Sequence, residues 1–282
     1  KWMDLIPTTS AQIILNVIPP TSDLLSMLTE INDKLIQIWV EELSKEKLND
    51  IKIEILNRVP LFHYDFKNKN SILFIGINPA YSEKFPSFLK EDEFKYFSVK
   101  DFYNTRDYKN FNFKLDQLTS EKARGYKYFK KFYEIAGEVY GERGKWEHID
   151  LFFFRETSQK KGIELIFENG QNGNYTEFAK KQLKLIGILI EKSEPDIIVV
   201  ANALASKIFK NHFKENLINN ASLDQEHGCY FYLCKEHDKN IPVILTQMFT
   251  GQRALDNNTF ELLKWQIKSL VNKFGNKLQK EV

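Results

Sequence analysis

The sequence predicts an α/β protein, a three-layer α/β/α sandwich around a central, mostly parallel four-stranded sheet. Four short apolar runs, rich in β-branched and aromatic residues, are typical of buried strands: "SILFIGI", "HIDLFFF", "DIIVVAN" and "IPVILTQ". Segments with the apolar spacing of helices separate these runs. Because strands that alternate with helices pair in parallel through right-handed crossovers, we expect helices on both faces of the sheet.

The first half of the chain begins with helical spacing over residues 22–45, where Ser22 or Asp23 is a plausible N-cap. We predict that residues 1–60 form a helical extension packed on a core domain of residues 61–282. The first strand, "SILFIGI", lies at the start of that core. A polar and aromatic connection then runs from Tyr81 to about Ser120, and its length indicates a function or small elements of its own.

The second half continues the alternation of helices and strands. We predict a helix over about residues 121–140, a second strand ending at Arg155-Glu156-Thr157, and a helix over 175–192 that Pro195 stops. The third strand and the helix "ALASKIFKNHF" follow. The run "CYFYLCKE" alternates like a half-exposed strand, and the fourth central strand precedes a closing amphipathic helix, "TFELLKWQIKSLVNKF".

The composition is that of a folded chain, with 43% hydrophobic and 28% charged residues and no run of about eighteen apolar residues. The first residues lack the pattern of a secretory signal, so we expect a cytoplasmic protein without a membrane partner. Cys229 and Cys234 are too few for a disulfide framework or a four-thiolate site, and the histidines follow no ligand spacing. We therefore expect no metal and no cofactor. The oligomeric state stays open.

The net charge of +2 at pH 7 neither requires nor excludes a polyanionic partner, because binding depends on how charge is distributed. Locally, "EKARGYKYFKK" at residues 121–131 combines five basic and three aromatic residues. It is either an amphipathic helix with rings inward and lysines in water, or an edge that faces phosphates.

Unusual residues follow three of the predicted strands. They are Gly76-Ile77-Asn78-Pro79, Arg155-Glu156-Thr157-Ser158, and Thr246-Gln247-Met248 with the residues 250–253 after them. In open parallel sheets, ligands bind beyond the carboxyl ends of the strands. We therefore expect these three segments to converge.

The run "ILFIGINPA" resembles the first motif of the uracil-DNA glycosylase superfamily, most closely its mismatch-specific and thymine-DNA glycosylase branch. The runs "DLFFFRETS", "PDIIVVANALASKIF" and "VILTQMFTGQRALD" are similar in order and spacing to later segments of that branch. The resemblance covers about residues 70–275. It implies a DNA-binding enzyme that hydrolyses the N-glycosidic bond of a flipped uracil or other damaged base, without a cofactor.

By this resemblance, Asn78 would hold the attacking water and Gln247 would lie near the departing base. A carboxamide is a poor proton acceptor, so catalysis would depend on positioning and on leaving-group stabilisation, and slow turnover is expected. Gly76 would let the backbone approach the nucleotide, and Pro79 would stiffen the turn. The other residues expected to contact the substrate from this segment are Ile77, Ala80 and Tyr81.

The chain departs from the family pattern in two motifs. Where the family generally has His-Pro-Ser or Asn-Pro-Ser, this chain has Gln247-Met248-Phe249, and Gln247 cannot become cationic. Met248 or Phe249 would serve as an apolar wedge in DNA, in a DNA-contacting loop with Thr250, Gly251 and Arg253. Arg253 would hold a phosphate or simply be solvated.

In the second motif, the family's base-reading Asn is replaced by Leu151-Phe152-Phe153-Phe154. Phe152 would then either close the base pocket or fill the core. Arg155 would either substitute in base readout or form a salt bridge.

Base flipping costs a few kcal/mol, and stacking on an aromatic ring returns about 1–3 kcal/mol, so a stacking ring is expected. Tyr128 or Phe129 is the candidate, with core packing as the alternative. Lys127, Lys130 and Lys131 would face the phosphates. The rival hypothesis is a non-catalytic DNA-binding module of the same fold that has lost its readout and leaving-group residues. A nucleotide-binding enzyme is disfavoured, because the chain has no GxxxxGK or GxGxxG motif.

Overall fold

The computed structural model describes residues 22–58, 60–62, 66, 68–81, 127–141, 144–170, 173–218, 226–251 and 254–275. These residues form seven α-helices: α1 (Ser22–Leu43), α2 (Asp50–Leu56), α3 (Lys130–Tyr140), α4 (Gln159–Ile166), α5 (Glu177–Ser193), α6 (Ala203–His212) and α7 (Asn257–Phe274). A 3₁₀ turn, Lys127–Phe129, leads into α3. The strands are β1 (Ile72–Gly76), β2 (Trp146–Asp150), β3 (Ile197–Ala201), β4 (Leu217–Ile218), β5 (Tyr230–Cys234) and β6 (Lys239–Thr246).

The described strands form one sheet in the order β2-β1-β3-β6-β5-β4. The first four strands are parallel, whereas β5 and β4 are each antiparallel to their neighbour. The predicted α/β class and mostly parallel sheet are confirmed, but the sheet has six strands rather than four. The run "CYFYLCKE" joins the sheet as β5 through a tight turn to β6, and β4 has only two residues, too few to show any periodicity.

Two hydrophobic clusters lie on opposite sides of the sheet, because successive side chains of a strand point to opposite faces. Leu73 and Ile198 point to a cluster that includes buried residues of α1, α4, α5 and α6. Phe74 and Val199 point to a second cluster formed with α3 and α7. All residues of β1 and β3 are buried, which explains why these strands read as uninterrupted apolar runs.

Helix α1 packs in the first cluster. Trp39 is fully buried, donates a hydrogen bond from Nε1 to the Leu56 carbonyl oxygen at 3.0 Å, and meets the Phe178 ring edge-on at 5.0 Å between centroids. These contacts join α1 to α2 and α5. The predicted division into an extension and a core domain near residue 60 stays a prediction.

The structure differs from the sequence prediction after β2. The strand ends at Asp150, and Leu151 to Phe154 leave the sheet with their side chains buried in the first cluster. The short helices α2 and α4 were not predicted, since seven and eight residues give little periodic signal. Across the described ranges, we find no helix with the length and apolarity that crossing a bilayer requires. The long connection expected over residues 81–120 lies almost wholly outside the described residues.

Candidate functional site

The carboxyl ends of β1 and β2 lie side by side, with Gly76 in register with Asp150. Beyond the strands, the two loops stay hydrogen-bonded. Phe152 donates its backbone N–H to the Ile77 carbonyl oxygen at 3.0 Å, and Glu156 donates to that of Pro79 at 2.9 Å. Because β1 lies between β2 and β3, the chain leaves β1 at a reversal of strand order, where open α/β sheets bind ligands.

Asn78 has a fixed orientation at this end of the sheet. Its Nδ2 donates to the Glu156 carbonyl oxygen at 2.6 Å and to the Pro79 carbonyl oxygen at 3.0 Å. Both partners only accept hydrogen bonds, so the nitrogen must face them and Oδ1 must point away. No described residue donates a hydrogen bond to Oδ1, and the side chain is half-buried. The amide oxygen is thus able to accept a hydrogen bond from a water or a ligand.

Asp150, the last residue of β2, lies opposite Gly76 of the neighbouring strand β1. A Cβ atom at position 76 would lie only 2.1 Å from Asp150 Oδ1 and 3.2 Å from His148 Nε2. The carboxyl can therefore occupy this place only because residue 76 has no side chain. Asp150 was not predicted as a site residue. The available signal was a charged residue inside the apolar run "HIDLFFF".

The Asp150 side chain is only 8% exposed, and its Oδ1 lies 3.9 Å from His148 Nε2. Burial raises the pKa of Asp150 to about 7, and the positive charge of Arg155 offsets part of this shift. The Asp150 carboxyl therefore changes between its protonated and ionised forms near neutral pH.

Aromatic rings form one side of this region. Tyr128 and Phe129 are half-buried, and their ring centroids lie 6.2 Å and 5.4 Å from that of His148. They also pack on Phe132 of α3, so both belong to the second hydrophobic cluster. Their partial exposure leaves some ring surface for a ligand.

The three lysines predicted to face DNA differ in their surroundings. Lys127 and Lys130 are exposed. Lys131 is half-buried, with Nζ 3.9 Å from the centroid of the Phe260 ring and 3.4 Å from Glu134 Oε2. The first two are therefore open to a phosphate, whereas Lys131 already has protein partners.

Arg58, which was not predicted, fixes the loop after β2. Its Nη1 donates to Glu156 Oε2 at 2.7 Å and to the Arg155 carbonyl oxygen at 2.9 Å, and its Nη2 donates to Glu54 Oε1 at 2.5 Å. The guanidinium also lies 4.0 Å from the centre of the Tyr81 ring. A residue that follows α2 thus holds the backbone to which Asn78 is anchored.

The remaining predicted site residues near β1 and β2 differ in burial, and some of them belong to the hydrophobic core. Phe152 is fully buried and stacked on Phe154, so it fills the core and does not line a pocket. Arg155 is 5% exposed and lies close enough to Asp150 to act on its charge. Ile77 packs against the first cluster, Pro79 is half-buried and Ala80 is exposed.

The loop after β6 is organised differently from the prediction. Phe249 is buried, with its ring 5.2 Å from that of Phe132 and 5.8 Å from that of Phe260, so it is a core residue and not an available wedge. Met248 and Thr250 are half-buried, and Gln247 and Gly251 are exposed. Arg253 lies outside the described residues. No hydrogen bond between described residues joins this loop to Asn78 or Asp150.

Two surface grooves lie elsewhere, along α6. One, of about 420 Å³, includes Lys210, Lys214 and Tyr230, and the other, of about 400 Å³, includes Tyr175 and Lys207. Neither groove contains a predicted site residue.

Comparison of the sequence with protein-family models and with curated proteins found no match. The resemblance to the uracil-DNA glycosylase superfamily therefore rests on the motifs quoted above.

Proposed function

We propose that this protein hydrolyses the N-glycosidic bond of a flipped uracil or other damaged base in DNA. The observation that carries the proposal is the orientation of Asn78, whose amide nitrogen is held by two carbonyl oxygens while Oδ1 stays available at the carboxyl end of β1. A water that donates a hydrogen bond to Oδ1 keeps its lone pairs free for attack on the sugar carbon.

The surroundings of Asn78 support this role. The half-exposed rings of Tyr128 and Phe129 offer a stacking surface, worth about 1–3 kcal/mol for one base. The exposed Lys127 and Lys130 lie in the same segment and suit phosphate contacts. The exposed amide of Gln247 is the predicted donor to the departing base. The three-layer α/β/α arrangement that we predict for this activity is supported by the clusters on the two sides of the sheet.

One observation favours the rival function, a DNA-binding module without catalysis. The stretch Leu151 to Phe154, which replaces the family's base-reading Asn, is fully buried and presents no polar side chain to a base. In this alternative, the protein binds distorted DNA and leaves the glycosidic bond intact.

Release of the free base separates the two functions. Duplex and single-stranded oligonucleotides that contain uracil, hypoxanthine, xanthine or mismatched thymine are incubated with the wild type, Asn78→Ala and Asn211→Ala. Asn211 is an exposed asparagine on α6, so its substitution is the matched control. We expect release of at least one of these bases by the wild type and the control, and a loss of about 10²-fold in Asn78→Ala.

Salt-dependent DNA binding without base release by the wild type would instead establish the binding module. A wild type that neither binds nor cleaves would exclude both functions.

A further inference from the structure

The water-holding role of Asn78 leaves one neighbouring buried group unused, the Asp150 carboxyl. Its side chain is 8% exposed, and neither oxygen accepts a hydrogen bond from a residue in the described ranges. Buried polar groups are almost always hydrogen-bonded, because a buried carboxylate that has lost its water and gained no hydrogen bond destabilises the fold. Such a group therefore needs a physical reason for its place.

The space that the Asp150 carboxyl occupies exists because the neighbouring strand has a glycine, Gly76, at the position beside it. Its missing side chain leaves the space for Asp150 Oδ1, since a Cβ would come within 2.1 Å of that oxygen. Asn78 is only two residues further along, and two residues span at most about 7 Å. The carboxyl thus lies beside the backbone segment that carries the water-holding amide.

Among the described residues, the charged and titratable groups identified around this carboxyl come from β2, the loop after it and the 3₁₀ turn. His148 comes from β2 itself and Arg155 from the loop after it. From the 3₁₀ turn, which also carries Lys127, the Tyr128 ring lies edge-on to the His148 ring with the centroids 6.2 Å apart. A carboxyl with these neighbours, and with no hydrogen-bond donor among the residues that the structure describes, is able to take up a proton.

We propose that Asp150 is the proton acceptor for the water that Asn78 holds, an inference that rests on the proposed function. The water oxygen forms a bond to the anomeric carbon, and the bond from that carbon to the base nitrogen breaks with its electron pair leaving on the base. One proton of the water passes to the Asp150 carboxylate. The base then gains a proton from solvent and Asp150 releases its proton to solvent, which completes the hydrolysis. A carboxamide cannot take up this proton, so the two side chains have separate tasks.

The test measures single-turnover base release between pH 5 and pH 9 for the wild type, Asp150→Asn and Asp238→Asn, with DNA affinity measured in parallel. Asp238 is exposed and remote, and asparagine tolerates its left-handed backbone, so this variant is the matched control. We expect the wild-type and control rates to rise with pH through about 7, because only the ionised carboxyl accepts a proton. Asp150→Asn should bind DNA normally, lose about 10²–10⁴-fold in rate and show no such rise.

Gly76→Ala gives a second variant that keeps the carboxyl but places a Cβ where Oδ1 lies, and we expect a comparable loss of rate. If Asp150→Asn keeps the wild-type rate, or loses rate but keeps the rise with pH, the proton-acceptor role is wrong and the proposed function stands. If Asp150→Asn does not fold and Gly76→Ala keeps the wild-type rate, the role is also wrong. A wild type that releases no base at any pH overturns the proposed function and this inference together.

Discussion

Two buried aspartates at opposite ends of the sheet have very different partners. Asp196 lies just before β3, accepts a hydrogen bond from the Tyr140 hydroxyl at 2.9 Å and has Lys239 Nζ at 3.6 Å. Asp150 ends β2 and accepts no hydrogen bond from the described residues. The amino end of the sheet thus satisfies its buried charge, whereas the carboxyl end leaves an acceptor available.

The two ends of the sheet therefore differ in how far protein partners offset the cost of burying a charged group. Burial and the Asp196 charge raise the pKa of Tyr140 above its ordinary value, so the phenol keeps its proton and continues to donate it in a hydrogen bond. At Asp150, burial raises the pKa with only partial compensation from Arg155. Groups with perturbed pKa values and incomplete pairing are typical of functional sites.

The largest expected effect concerns the support of the carboxyl end. Arg58→Ala leaves Glu156 as a buried charge that has lost its arginine, since the two side chains are 11% and 7% exposed. We expect a loss of about 3–5 kcal/mol in the free energy of unfolding. Urea unfolding measures it, with Arg58→Lys as a variant that keeps the charge and should lose less. A loss below about 1 kcal/mol, the value of a surface pair, would show that this contact is not the support of the loop.

The next prediction concerns the effect on stability of a substitution at Asp196, at the amino end of the sheet. Asp196→Asn removes the charge that faces Lys239 and weakens the hydrogen bond from Tyr140. We expect a destabilisation of about 1.5–3 kcal/mol at pH 7, from chemical unfolding. If the stability of Asp196→Asn is unchanged or increased, the partners of Asp196 do not stabilise its charge, and the proposed difference between Asp196 and Asp150 is wrong.

Asp150→Asn should have the opposite sign. The folded-state pKa is raised from 3.8 to about 7, so the folded protein holds a proton that the unfolded chain has lost, and wild-type stability falls as pH rises from about 4 to 7. Asparagine lacks this penalty. We expect the variant to gain on the order of 4 kcal/mol over the wild type between pH 4 and pH 8, because a pKa raised by about three units changes the free energy of unfolding by about 1.4 kcal/mol per unit. Thermal or urea unfolding at both pH values measures the change, and a pH-independent difference would contradict it.

The smallest effect refines the comparison at Asp196. Tyr140→Phe removes a single hydrogen bond to the carboxylate and leaves Lys239 in place. We expect a loss of about 1 kcal/mol in the free energy of unfolding. Tyr133→Phe, at an exposed tyrosine of the same helix, is the matched control and should change stability by less than about 0.5 kcal/mol. Equal effects of the two variants would mean that the Tyr140 hydroxyl adds nothing to the amino end.

The parallel part of the fold was predictable because β1 and β3 are buried on both faces and therefore uninterrupted in their apolar pattern. The two-residue strand β4 and the helices α2 and α4 were not, because their patterns are too short. The early end of β2 was also missed, since Leu151 to Phe154 are as apolar as a strand but are buried by packing against helices.

The candidate site was predictable only in part. Asn78 stands out in the sequence because Gly, Asn and Pro follow a buried strand. Asp150 stands out only as a charged residue inside an apolar run, and its place beside Gly76 depends on the register of two strands that lie far apart in sequence. Phe249 looked like a free wedge, and only the rings that arrive from α3 and α7 make it a core residue.

The most direct test of the contrast between the two ends is a titration of the Asp150 carboxyl by infrared difference spectroscopy of the wild type against Asp150→Asn. We predict a protonated carboxyl signal at pH 5 that disappears with a midpoint near pH 7. A carboxyl that is already ionised at pH 5 would mean that Asp150 is stabilised as a charge, and would contradict our account of this end of the sheet.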